Sequence, residues 1–114
     1  MEGTAWTVDV TPDAGSRASS FTDTLVFEHG KVSMTECAKS GFRASTYQLS
    51  PAGDSWQFMA EQFSVTDGRS LWNAAFRGDR VVGQLRWIKK DGTTINYRIE
   101  GAKNAPGPSW DARS

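Results

Sequence analysis

Apolar and polar residues alternate with a period of two along most of this chain. The alternating runs are separated by Gly-containing dipeptides at His29-Gly30, Asp67-Gly68, Gly78-Asp79 and Asp91-Gly92. Such alternation marks half-buried β-strands, and these dipeptides supply the positive φ that tight hairpin turns need. Strands are therefore expected near residues 5–11, 22–28, 31–36, 45–50, 55–65, 69–77, 80–89 and 93–101. Residues 11–22 are too small and polar for a strand and form the longest loop. Thr35 as an N-cap and Gly41 as a stop predict one short helical turn at 36–41. The tail 103–114, with Pro106-Gly107-Pro108, cannot pair in a sheet and is expected to be disordered, which leaves 1–102 as one domain.

The turns fix the register, and the register decides which side chains face inward. A two-residue loop at Gly78-Asp79 sets Arg77 opposite Arg80, Phe76 opposite Val81, Ala74 opposite Gly83 and Trp72 opposite Leu85. One face of that hairpin is then wholly apolar, while Asn73, Val82, Gln84 and Arg86 take the other. At Asp91-Gly92 only a three-residue loop, Lys90-Asp91-Gly92, pairs Trp87 with Ile95 and Leu85 with Tyr97, which predicts a bulged turn with Gly92 in the left-handed region. At His29-Gly30, Glu28 faces Lys31 outside, and Phe27 faces Val32 and Leu25 faces Met34 inside. Trp6, Val8 and Val10 alternate inward on the first strand, Tyr47 and Leu49 on the fourth, and Trp56, Phe58 and Ala60 on the fifth. Phe63 breaks that parity, and a bulge between Ala60 and Phe63 would return it to the inward face.

Eight antiparallel strands in sequence order, each with one apolar face, can close into a barrel or fold as a sandwich. The connections are mostly short hairpins and lack the long crossovers of a Greek key, so the expected fold is an all-β, eight-stranded up-and-down meander barrel. A barrel of eight strands has a lumen that side chains can fill or that can hold one small ligand. The inward aromatic load is heavy: Trp6, Phe27, Tyr47, Trp56, Phe58, Trp72, Phe76, Trp87 and Tyr97. These rings either are the core, with Ala60, Ala74 and Gly83 allowing them to pack, or they wall a cleft.

Composition narrows the function classes. In 114 residues, 13 basic and 13 acidic side chains cancel, so no long-range field draws the chain to nucleic acid or an anionic membrane. No apolar run approaches the roughly 20 residues of a membrane span. A single cysteine, Cys37, excludes an intramolecular disulfide, and no Cys/His cluster suits zinc. The start Met1-Glu2-Gly3 lacks the charged and apolar segments of a leader, which fits either a cytoplasmic protein or one whose leader has been removed.

Candidate catalytic chemistry is sparse. His29 lies in a hairpin turn with no nucleophile or carboxylate pair placed by spacing, and Cys37 has no neighbour that would lower its pKa. Asp9, Asp23 and Asp54 do not follow the alternation of oxygen ligands that calcium requires. Arg77, Arg80, Arg86, Lys89, Lys90 and Arg98 gather on the outer face of the last hairpins, but Asp79, Asp91 and Glu100 interleave with them as on a solvated face.

The order of elements, with Gly3-Thr4-Ala5-Trp6 opening the first strand, a long first loop and Arg98 in the last strand, resembles the lipocalin and fatty-acid-binding-protein group, the calycins. Lipocalins place one residue between that Gly and Trp; here there are two. A closer resemblance, over residues 4–102, is to small exported bacterial barrel proteins of unassigned function. It is carried by the runs Trp6 to Asp13, Phe21 to Phe27 and Gly83 to Thr93. This resemblance implies a lipocalin-like barrel in the periplasm or secreted, and it implies no activity.

Two functions follow. The first is a monomeric, non-enzymatic barrel without cofactor or metal. It would bind an apolar or aromatic small molecule among Trp6, Phe21, Trp56, Trp72, Trp87 and Tyr97, with loop 11–22 as a lid and Phe21 as its plug. The alternative is a structural or protein-interaction domain with a filled lumen.

Overall fold

The computed structural model describes residues 1–15, 18–39 and 41–104. Eight strands are present: β1 (Ala5–Pro12), β2 (Phe21–Glu28), β3 (Lys31–Met34), β4 (Tyr47–Ala52), β5 (Ser55–Ser64), β6 (Gly68–Arg77), β7 (Arg80–Ile88) and β8 (Thr94–Lys103). One short helix, α1 (Thr35–Lys39), follows β3. All pairings are antiparallel, in the spatial order β3-β2-β1-β8-β7-β6-β5-β4. Because β1 meets β8, the meander curls into a nearly closed barrel whose seam lies between β3 and β4.

That seam is stitched locally. The N–H of Val32 donates to the carbonyl of Ser45 (2.8 Å) and the N–H of Ser45 donates back (3.0 Å). The Gln62 side-chain amide also donates to the Val32 carbonyl, at 3.0 Å. Gln62, from β5, thus reaches across the interior to tie the two edge regions together.

The hairpin registers follow from the turn chemistry. Glu28 pairs with Lys31 across a turn in which His29 (φ 57°) and Gly30 (φ 73°) both take the left-handed region. Arg77 pairs with Arg80, Ala74 with Gly83 and Trp72 with Leu85, and beyond the last turn Trp87 pairs with Ile95 and Leu85 with Tyr97. Gly92 holds φ 90°, and the Lys89 and Thr93 backbones close the three-residue loop between them.

Two expectations fail on β5. Its pairing with β6 runs unbroken from Trp56–Phe76 to Ser64–Gly68, so there is no bulge between Ala60 and Phe63. Parity simply continues: Gln62 (1% exposed) and Ser64 face inward, and Phe63 (62% exposed) faces out. The physical reason is that Gln62 has a hydrogen-bond partner waiting inside, on a strand about thirty residues earlier, so a polar side chain is stabilised where alternation alone would place an apolar one. Lys103, expected at the start of the tail, is the last residue of β8 and donates its N–H to the Asp79 carbonyl at 2.8 Å. The rest of the expected tail, 105–114, lies outside the described residues.

The buried core runs the length of the lumen, from Trp6, Phe27 and Phe76 through Leu25, Met34 and Trp72 to Leu85 and Tyr97. Inward positions on β1, β2, β6 and β8 alternate strictly with exposed or half-exposed ones. This is the pattern that closure of a two-faced sheet produces.

Candidate functional site

The interior is divided into two unlike halves. Away from α1, aromatic rings fill the lumen edge to face: Trp6 meets Phe76 at 4.6 Å between centroids, and Phe27 meets Tyr47 at 5.0 Å, Phe58 at 5.6 Å and Phe76 at 5.9 Å. Such T-shaped pairs are favoured beyond their burial, by about 0.5–1.5 kcal/mol each. The Trp6 indole N–H donates to Thr4 Oγ1 (3.0 Å), that hydroxyl donates to the Met1 carbonyl, and Met1 packs onto the core. Ring-to-ring packing occupies the lumen there.

At the other end, beneath α1, is a cavity of about 230 Å³. Its walls are Phe21 from β2, Glu36 and Cys37 from α1, Phe42 just after the helix, Ser70 from β6, Leu85 and Trp87 from β7, and Tyr97 from β8. Phe21 and Tyr97 stack edge to face at 5.9 Å. The Trp87 ring is pinned by its N–H, which donates to the Asp67 carbonyl (2.7 Å), and the Lys89 ammonium lies 5.0 Å from the ring centroid.

A buried carboxylate holds the helix in place over this cavity. Asp23 occupies an inward position of β2, and its Oδ1 accepts the N–H of Glu36 (2.8 Å), the N–H of Thr24 (2.8 Å) and the Thr35 hydroxyl (3.3 Å). The expected N-cap at Thr35 is therefore supplied by Asp23 from a neighbouring strand, with Thr35 donating to it. Phe42 is drawn in by its N–H bond to the Cys37 carbonyl (3.3 Å). Burial first, then the Asp23 and Glu36 carboxylates, push the Cys37 thiol far above its ordinary pKa, so it stays protonated. Burial and the neighbouring Cys37 raise the Tyr97 phenol as well.

Polar atoms gather in this half. Ser70, 2% exposed, faces Gln62 on one side and Trp87 on the other, and its hydroxyl has no hydrogen-bond partner among the described residues. The indole N–H of Trp72, one inward position further along β6, has none either.

The six residues expected to form the site do not converge on one place. Phe21, Trp87 and Tyr97 meet in the cavity. Trp72 is fully buried between the halves and does not line it, and Trp6 is packed on Phe76 in the filled half. Trp56 is 49% exposed, because its strand partners Pro51 and Phe76 put it at the far rim, where the lumen ends. Sequence reasoning missed Glu36, Cys37, Phe42, Ser70 and Leu85 as lining residues. Ser70 and Leu85 could have been found from their inward parity with Trp72 and Trp87.

A broader hollow of about 1090 Å³ runs past Met59, Asn73, Val82, Gln84, Arg86 and Arg98. Those side chains are exposed, so a molecule resting on them would stay in water. Among the described residues no cluster of His, Cys, Asp and Glu could hold a metal ion, and no helix is long and apolar enough to cross a membrane.

No protein-family model, no curated protein and no solved structure matches this chain. The barrel is compatible with a lipocalin-like fold.

Proposed function

We propose that the protein is a small-molecule-binding barrel that takes its ligand in the cavity beneath α1 rather than along the whole lumen. The observation that carries this reading is the cavity itself: about 230 Å³ walled by Phe21, Phe42, Trp87, Tyr97 and Leu85. An apolar cavity of about 150 Å³ is enough to hold a benzene ring. The space therefore suits a single ring with a short substituent. A binder rather than a catalyst is the reading supported by the exposure of the one histidine in a turn and by the burial that raises the Cys37 thiol.

Titration with an apolar dye followed by tryptophan emission tests the reading. Emission should change on binding, Trp87→Phe should remove most of the change, and Trp6→Phe should leave it. An unmoved emission, or a response that needs Trp6 and not Trp87, contradicts it. A second reading, an interaction domain, is favoured by the exposed apolar side chains Met59, Phe63 and Val82 on the outer face of β5 and β7.

A further inference from the structure

We infer that the cavity beneath α1 is built for an uncharged ligand whose ring carries a hydrogen-bonding oxygen directed at Ser70. The inference rests on the binding reading above and specifies the chemical class of the ligand.

The walls offer apolar surface and no free charge. Phe21, Phe42, Leu85 and Trp87 supply the surface. The lining thiol and phenol, Cys37 and Tyr97, are both kept in their neutral forms by burial. Glu36 is the one charged group on the wall among the described residues, and Lys39 engages it at 2.8 Å. Among the described residues no lysine or arginine lines the cavity. A ligand carboxylate would thus meet Glu36, with the buried Asp23 close behind it, and would find no cation on the described wall. A ligand ammonium would have to compete with Lys39 for Glu36, and Lys89 already lies by the Trp87 ring. Burying a charge without a partner is far more costly than burying a neutral polar group.

Ser70 sets the second requirement. Ser70 lines the cavity, and its hydroxyl is buried and has no partner among the described residues. A buried polar atom in a native interior is almost always matched, and here the matching group can come from a ligand oxygen. A ring bearing a hydroxyl or carbonyl satisfies Ser70 while its carbon face packs on Phe21 and Tyr97. Cys37 takes no covalent part, because a protonated thiol is a poor nucleophile.

The test uses four probes with one carbon frame: toluene, benzyl alcohol, benzylammonium and benzoate, titrated into the full chain and into Ser70→Ala while amide shifts are followed by NMR. Benzyl alcohol should bind, and the two ions should bind at least tenfold more weakly. Ser70→Ala should weaken benzyl alcohol about two- to tenfold, the range of one neutral hydrogen bond, and leave toluene unchanged or tighter. Toluene binding to the variant also shows that its cavity is intact. If Ser70→Ala leaves benzyl alcohol unaffected, or either ion matches it, this inference is overturned while the binding reading stands. If no probe binds, toluene included, the binding reading itself fails.

Discussion

At Gly83, midway along β7, a side chain is excluded by the neighbouring strand: a Cβ there would run into the carbonyl oxygen of Asn73 and the backbone of Ala74. At this point only glycine lets β6 and β7 come so close together, a site of close backbone approach. Even Gly83→Ala should therefore lower stability, by about 1–3 kcal/mol in urea unfolding, through backbone displacement rather than filling of the lumen. A stability within error of the parent would mean that the strands can part there at no cost. Cys37 makes a second prediction at this scale. Its thiol is raised above the ordinary value of 9.0, so above that pH the unfolded chain loses a proton that the folded chain keeps. Folding stability is then fully present below pH 9 and falls as pH rises beyond it. Comparison of urea midpoints at pH 7 and pH 10 for the parent and Cys37→Ala should show a smaller loss in the variant. An identical loss would remove Cys37 from the account.

Among the elements, α1 is capped by a carboxylate outside it, Asp23 of β2. Five residues are too few for a helix to persist alone, and none of its residues is fully buried, so Asp23 accepting the Glu36 N–H is a main tie of its first turn to the barrel. Asp23→Ala should cost about 1–2 kcal/mol, the range of lost caps, and should speed amide exchange in 36–39 more than in the strands. Uniform exchange across helix and strands would contradict that dependence. The same contrast explains what was legible in the sequence. The three hairpins with His29-Gly30, Gly78-Asp79 and Asp91-Gly92 could be registered correctly because the turn residues and their cross-strand partners are local. β5 could not be, because the partner that makes Gln62 acceptable inside is Val32, and nothing near Gln62 signals it. The cavity was legible in part for the same reason. Trp87 and Tyr97 follow from a hairpin, whereas Glu36, Cys37 and Phe42 come from a segment whose tie to the barrel, the Asp23 contact, is not local in sequence. Trp56 shows the remaining limit: alternation gives the face of the sheet, and the height along the barrel depends on how the neighbouring strands end.

For the whole molecule, the division of the lumen governs both stability and function. The half built on Phe27, Phe58, Phe76 and Trp6 is packed ring against ring and holds the barrel together, while the half beneath α1 keeps a cavity and unmatched polar atoms. Packed interiors resist entry, and a space left beside a short, externally tethered helix is where a small guest can enter. The most direct measurement is diffraction from crystals pressurised with xenon, which occupies apolar cavities and ignores filled ones. Xenon should appear between Phe21, Leu85, Trp87 and Tyr97 and nowhere among Trp6, Phe27, Phe58 and Phe76. Xenon among the latter rings, or none inside the barrel, would contradict the division on which the account stands.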